Sequence, residues 1–473
     1  MDTRDHARHR STLELAALCA LLLGPTACGG GGHAGARTSA DPSTPAMGSG
    51  GAPGATQGGS GSGGSGSGGS GVAGKKASGD GGAVGQDAGG GSGGVGESDA
   101  GDTHDAGSVR DAGDGGSDAG AVAFVNPAPG SKFFVGANFW NIDWEGQDDF
   151  FQSGVDFATT SNPWRPELLD DLAPYHVLRF MDWNGTNESN NPQANWDARK
   201  HKTDPQDQPV AIEWQIDLCN RAQKDYWITV PHEADADYWT KLAQLIESEL
   251  DPRLRVYVEY SNEVWNGSFP QHDDAASKAQ SLSLPGSDPA AAYYVYASVR
   301  LYAAFESVFG AGSPRLIKVL SGQAAWTGPC EAHVQALADP TINPNGEKPD
   351  VYAIAPYFGG TSIGQLGNAI DTVTQWTRDH VTCAAKAGLP LISYEGGSDS
   401  YSAGNGCTTL QHDPGMHDLY MSYLDGLSGA GMTGPFMQYT HTGTCWGLKE
   451  KTGDSLDDSP KYKGVIDWLA AHP

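Results

Sequence analysis

The chain is short of positive charge, with 29 Lys and Arg against 57 Asp and Glu and a formal net charge of -28. A phosphate backbone or an anionic membrane surface is bound through clustered cations, so nucleic acid is excluded as a partner and a neutral or cationic one is favoured. Long apolar runs are also missing. The stretch Leu13–Leu23, with Glu14 inside it, has the length of a signal-peptide core and is too short for a permanent membrane span. Cysteine is sparse, and none of the 7 residues has the paired spacing of a zinc site. No metal-ligand set and no cofactor motif is found. Residues 29–122 lack almost every aromatic and large aliphatic side chain. Such a segment cannot bury enough apolar area to offset backbone ordering, which excludes a folded domain there.

What is present divides the chain into three. Arg4, Arg8 and Arg10 precede the apolar run, and Pro25-Thr26-Ala27-Cys28 follow it. The pattern resembles a bacterial lipoprotein processing site, with Pro25 where Leu is usual. Residues 1–28 are therefore expected to direct export, with Cys28 as a lipidated membrane tether, and the protein to reside in the cell envelope or outside the cell. Residues 29–122, rich in Gly, Ser, Ala and Asp, are expected to form a disordered linker. Two motifs in it are dismissed. Gly69–Lys75 approaches a phosphate-binding loop but has Lys76 where Ser or Thr must stand, and the Asp-Ala-Gly repeats of residues 105–118 lack the Glu of a calcium loop.

Residues 123–473 read as one foldable unit, expected to be a monomer. Eight strand candidates alternate with helical stretches: Phe133–Gly136, His176–Phe180, Tyr226–Val230, Arg255–Glu259, Leu316–Leu320, Val351–Ala355, Leu391–Tyr394 and Pro435–Gln438. Apolar residues at three- and four-residue spacing predict helices over Ala211–Gln223, Tyr238–Leu250, Ala291–Phe309, Ile363–Ala387 and Lys463–Ala471. This is the arithmetic of an α/β (β/α)8 TIM barrel, preceded here by the linker. An open doubly wound sheet is the runner-up, but no glycine-rich turn follows the first strand. In a barrel, functional side chains sit just after the strands. Two cysteines of late loops, Cys407 and Cys445, fall on that same face and are candidates for a bridge.

The strand ends carry a distinctive set of side chains. Arg179, Asp182 and Trp183 follow the second candidate, and His232 and Glu233 the third. The fourth runs into Glu259-Tyr260-Ser261-Asn262-Glu263-Val264-Trp265-Asn266, the sixth into Tyr357, the seventh into Glu395, and the eighth into a loop with His441 and Trp446. Glycoside cleavage with retention needs two carboxyl groups about 5–5.5 Å apart, one as nucleophile and one as acid and then base. Glu263 and Glu395, three βα units apart, meet that topological demand.

An Asn-Glu pair ending the fourth strand and a lone Glu ending the seventh resemble the signature of the clan of (β/α)8 retaining glycoside hydrolases that includes cellulases and mannanases. Residues 257–266 also resemble exported bacterial proteins often labelled cellulose-binding. The resemblance implies that Glu263 is the acid/base and Glu395 the nucleophile. It further implies that Arg179 and Tyr357 hold Glu395 ionised, that Asn262 takes the sugar 2-hydroxyl, and that His232 contacts substrate or supports the acid. The abundance of tryptophan suggests several subsites and hence a β-linked polysaccharide (glucan, xylan or mannan) as substrate, attacked endo-wise.

Plainer readings stand beside these. Arg179 could be a structural ion-pair partner, for instance of Asp182, and His232 could simply bond a loop carbonyl. Glu259 is expected in a buried ion pair, and Glu233 is the reserve carboxylate. Trp140, Trp144, Trp183, Trp265, Trp326 and Trp446 all follow strand candidates; Trp183, Trp265 and Trp446 are taken as sugar platforms, although large aromatics also pack loops onto barrels. A non-catalytic carbohydrate-binding barrel is the alternative function. It would use the same aromatics and has no need of two facing carboxylates.

Overall fold

The computed structural model describes residues 126–140 and 147–473. The leader, Cys28, the linker and Trp144 lie outside the described residues. The remainder is a (β/α)8 barrel. Its strands are β1 (Val135–Asn138), β2 (Val177–Arg179), β3 (Asp225–Val230), β4 (Val256–Tyr260), β5 (Leu316–Ser321) and β6 (Val351–Ile354). Above β6 a short strand β7 (Tyr357–Gly359) leaves the wall, and β8 (Leu391–Ser393) is the seventh barrel strand. β9 (Gly397–Asp399) pairs with β7, and β10 (Phe436–Gln438) is the eighth barrel strand.

The sheet order is β10-β1-β2-β3-β4-β5-β6-β8, with every neighbouring pair parallel. Between β8 and β10 the wall closes through individual bonds. Thr433 N–H donates to Leu391 O (2.8 Å), Ser393 N–H to Pro435 O (3.1 Å), and Met437 N–H to the Ser393 hydroxyl (2.9 Å).

Side-chain alternation builds two cores. Val256, Val258 and Tyr260 of β4 face the helix layer, whereas Tyr257 faces the barrel interior with Trp227, Val177, Ile317, Val351, Ile392, Tyr394 and Met437. Period two therefore turns Glu259 inward as well. The wall helices include Ile212–Ala222, Ala236–Glu249, Pro289–Phe309, Ile363–Ala385 and Pro460–Ala471. Several helices go beyond the sequence expectation, among them Pro166–Asp171, Pro270–Ser281, Gly328–Ala338 and Gly415–Gly429. Pro at the first helical turn of three of them starts the helix with a ring in place of an orphan N–H. The first strand also begins two residues later than the sequence indicates, because Phe134 already packs into the interior below it.

The candidate Cys407–Cys445 bridge forms, joining the short helix Gly406–Gln411 to the loop after β10. A second bridge, Cys330–Cys383, joins two neighbouring wall helices, and Cys219 is a buried free thiol.

Candidate active site

At the C-terminal mouth of the barrel the side chains of β1, β2, β4 and β8 converge on one guanidinium. Arg179, wholly buried at the end of β2, donates from Nε and Nη2 to Glu259 Oε2 (3.1 and 3.0 Å) and from Nη2 to Asn262 Oδ1 (2.8 Å). Its Nη1 donates to Asn138 Oδ1 (3.0 Å) and to Glu395 Oε1 (2.8 Å). A guanidinium has five N–H donors, and these bonds use all of them. Arg179 also sits 5.6 Å from the Trp227 ring centre and 5.2 Å from that of Tyr394. Burial alone would lower its pKa, but Glu259 and Glu395 outweigh that and hold it above the ordinary value. Asp182 is bonded by the Tyr439 hydroxyl (3.0 Å), so Arg179 pairs with Glu259 and Glu395 and not with Asp182.

The two glutamates of interest have unlike surroundings. Glu395 receives Arg179 on Oε1 and the Tyr357 hydroxyl on Oε2 (2.8 Å). Burial raises its pKa, and Arg179 and Tyr357 pull it back, which makes it the member of the pair that ionises first. Glu263, half-buried, receives neutral donors: the Tyr394 hydroxyl on Oε1 (2.9 Å) and Asn266 Nδ2 on Oε2 (2.9 Å). Burial, and then the charge of Glu395, push Glu263 up to about 7. Both carboxylates thus sit within electrostatic reach of each other across the mouth.

Local backbone geometry aims these groups. Ser261 and Glu263 adopt φ of 58° and 43°, a left-handed conformation that costs a non-glycine residue about 1–3 kcal/mol and persists when neighbours over-determine it. Gln271, at the start of the helix Pro270–Ser281, supplies that constraint by donating to Asn262 O (2.6 Å) and Asn187 Oδ1 (2.7 Å). The segment after Asn266 therefore braces the Asn-Glu pair from behind. After Glu395, Gly397 at φ 122° leaves room where a Cβ would lie 2.5 Å from Gln438 Nε2.

The other residues singled out from sequence fall into two groups. Asn262 and Tyr357 join the cluster; Asn262 gives one amide hydrogen to Asn187 (3.1 Å) and retains a second. His232 is buried beside Asp274, Glu233 and Lys278, its Nδ1 has no partner, and burial lowers its pKa. Glu233 caps a loop by accepting the Asn190 and Asn191 N–H groups (3.0 Å each). His441 is buried against Tyr175, and burial pushes it down to about 3.

Two tryptophan assignments are corrected. Trp183 is 0% exposed, donates to Trp140 O (2.9 Å) and packs among Phe139, Phe180 and Trp164, so no face is left for a sugar. Trp446 is covered on both faces, by Trp140 (5.5 Å between ring centres) and Tyr401 (4.9 Å), and acts as a wedge that supports them. The half-exposed aromatics near Glu395 are instead Trp140, Tyr357 and Tyr439. Trp265 is half-buried beside the Asn-Glu pair, and Trp326 stands 64% exposed on the loop after β5.

Sequence reasoning passed over Tyr394, Asn138, Asn266 and Tyr439. Tyr394 and Asn266 had a local signal, since each lies within three residues of a glutamate already chosen. Among the described residues, no group of three or more His, Cys, Asp or Glu is placed to hold a metal ion.

No protein-family model and no curated protein matches the chain. Solved structures do share its architecture. An arabinofuranosidase is 14% identical with a TM-score of 0.48, covering 72% of this chain and 71% of that one. A 4-O-α-L-rhamnosyl-β-D-glucuronidase from Fusarium oxysporum is 14% identical with a TM-score of 0.44, covering 73% and 72%. A modular endo-β-1,4-mannanase of glycoside hydrolase family 26 from Cellulomonas fimi is 11% identical with a TM-score of 0.40, covering 72% and 71%. At such identities no activity passes from them to this chain, and its chemistry is read from its own residues.

Proposed function

We propose that the barrel is a retaining β-glycoside hydrolase acting on a β-linked polysaccharide, with Glu395 as nucleophile and Glu263 as acid/base. The observation that carries this reading is the asymmetry of the pair: Glu395 is tied to a cation, and Glu263 only to neutral donors. Two carboxyls whose environments push them apart divide the labour of acid and base.

In the first step Glu395 bonds to the anomeric carbon as the glycosidic C–O bond breaks, and Glu263 gives its proton to the departing oxygen. That forms an ester at Glu395 and removes the negative charge that had kept Glu263 protonated, so Glu263 becomes a competent base. It then takes a proton from water, the water oxygen bonds to the anomeric carbon, and the ester C–O bond breaks. Arg179 and Tyr357 stabilise the departing Glu395 carboxylate, and the free Asn262 amide hydrogen is available to the 2-hydroxyl.

The test is a panel of β-glucan, xylan and mannan with residues 123–473, following reducing ends and the anomeric configuration of the first product. Release of the β-anomer, abolished in Glu263→Gln and Glu395→Gln, is expected. Full rate in either variant sinks the assignment. Glycan binding without cleavage on every substrate returns the barrel to a binding role.

Export and tethering through Cys28 are proposed from residues 1–28 and the glycine-rich spacer. The two bridges in the barrel support an oxidising compartment. Unchanged membrane association of Cys28→Ala on expression in a bacterial host would rule out the tether.

A further inference from the structure

Beyond Glu259, Glu263 and Glu395, one more carboxyl group stands at the mouth, and the proposed mechanism does not use it. Asp182 follows β2 in a short 3-10 turn over Asp182–Asn184, which sends Trp183 into the helix-side core and leaves Asp182 half-buried at the mouth. Its Oδ2 accepts the Tyr439 hydroxyl at 3.0 Å. The Tyr439 ring meets Tyr357 edge-on at 6.2 Å and Trp140 at 5.9 Å, and Tyr357 in turn donates to Glu395. A wall of half-buried Trp140, Tyr439 and Asp182 therefore rises beside the proposed nucleophile on the β10-β1-β2 side, and Tyr357 of β7 meets it edge-on. That is the side away from Glu263, which follows β4. The acid/base must reach the leaving group, so this wall belongs to the sugar whose anomeric carbon is attacked.

Charge at this wall is one-sided. Of Glu259, Glu263, Glu395 and Asp182, only Glu259 and Glu395 bond to a cation, Arg179, whose N–H groups are all engaged by Glu259, Asn262, Asn138 and Glu395. Among the described residues no other Lys or Arg bonds to Glu263, Glu395 or Asp182. A carboxylate on the substrate would meet a cation whose N–H groups are all engaged and the charge of Glu395. Burial and the neighbouring Glu395 charge push Asp182 up to about 7, so its own charge adds to the repulsion as pH rises through that value.

We infer that Asp182 and Tyr439 form the specificity wall of the glycone subsite, reading hydroxyl groups of an uncharged sugar and rejecting uronic acids. This rests on the proposed roles of Glu263 and Glu395. An Asp carboxylate with Oδ2 held by Tyr439 offers Oδ1 to sugar hydroxyls, and repulsion of like charge adds selectivity that contacts alone do not provide.

The experiment compares 4-nitrophenyl β-D-glucoside, mannoside, xyloside and galactoside with the β-D-glucuronide, which differs from the glucoside only in its charged C6. Both turnover and binding (quenching of intrinsic tryptophan fluorescence) are read. The best neutral glycoside is expected to exceed the glucuronide by on the order of a hundredfold in kcat/KM, and to bind where the glucuronide does not. Asp182→Asn, which keeps the shape, should narrow that ratio at least about tenfold, chiefly by weakening the neutral sugar and admitting the anionic one. Tyr439→Phe, which leaves Asp182 unanchored, should weaken neutral binding and raise KM more than it lowers kcat. If neutral glycosides bind in an Asp182-dependent way but none is cleaved, the wall stands and the hydrolase reading falls. Glucuronide handled as well as the best neutral sugar, a ratio unmoved by Asp182→Asn, or no binding of any glycoside overturns the inference.

Discussion

If Glu263 is the acid/base as proposed, removing one hydroxyl next to it should move the alkaline limb of activity in a direction the structure fixes. Tyr394 is fully buried and donates to Glu263 Oε1 at 2.9 Å. A donor stabilises the charged carboxylate more than the neutral acid, so it lowers the pKa that burial and Glu395 raise. Tyr394→Phe keeps the ring that packs against Arg179 and deletes the donor alone. A hydrogen bond to a charged group contributes about 1.5–3 kcal/mol, part of which water recovers at half-exposed Glu263. At about 1.4 kcal/mol per unit, the expected rise is about one pH unit.

The activity of an enzyme whose acid titrates at about 7 declines on the alkaline side through that pH. At pH 8 such an acid is about one-tenth protonated, and after a one-unit rise about half. Relative to its own plateau near pH 6, Tyr394→Phe should therefore keep about five times more of its kcat/KM at pH 8 than the wild type does. A kcat/KM profile from pH 4 to 9 on one soluble substrate measures it. Asn266→Ala, which deletes the donor on Oε2, should move the limb the same way. An alkaline limb that stays put or moves to lower pH in both variants would refute the assignment of that limb to Glu263.

Two other outcomes follow from the same contacts. Glu263 has a folded-state pKa above its ordinary value, so the folded state holds the extra proton and stability is lost as pH rises from about 4.5 through about 7. Glu263→Gln should thus be more stable than wild type at pH 8 by on the order of 1–2 kcal/mol after allowing for solvent screening, and equal to it at pH 4; thermal melts that show no pH-dependent gain would contradict the burial argument. The tryptophan corrections also separate cleanly: Trp183→Ala should cost about 3–5 kcal/mol of stability, whereas Trp140→Ala should leave the melt near wild type and raise KM. A stable Trp183→Ala with raised KM would restore Trp183 as a sugar platform.

The barrel was legible because its strands are short apolar runs at regular intervals, and β4 shows how far that legibility extends. Alternation along Val256–Tyr260 puts Tyr257 and Glu259 on the inner face, which suffices to expect an ion pair at Glu259. It stops one residue later. Ser261 leaves the extended region at φ 58°, so period two no longer says where Asn262, Glu263 or Trp265 point. The same limit explains Trp183. A tryptophan after a strand reads alike whether it faces the mouth or the helix layer, and the 3-10 turn at Asp182 decides between them.

Glu263 and Glu395 illustrate a deeper limit. Both are glutamates after barrel strands, and nothing in their own identity says which is acid and which nucleophile. The difference lies in partners far along the chain: Arg179 lies 216 residues from Glu395, and Tyr394 lies 131 residues from Glu263. The bond between Tyr439 and Asp182 spans 257 residues. A strand-end motif reveals that a carboxylate stands at the mouth, but its proton affinity is set by which of five guanidinium hydrogens reaches it and which goes elsewhere. Arg179 gives one to Glu395 and two to Glu259. That division ties Glu395 to the cation, leaves Glu263 to neutral donors, and leaves no guanidinium hydrogen for a charged substrate, so the proposed division of roles and the proposed preference for a neutral sugar both trace to one buried side chain.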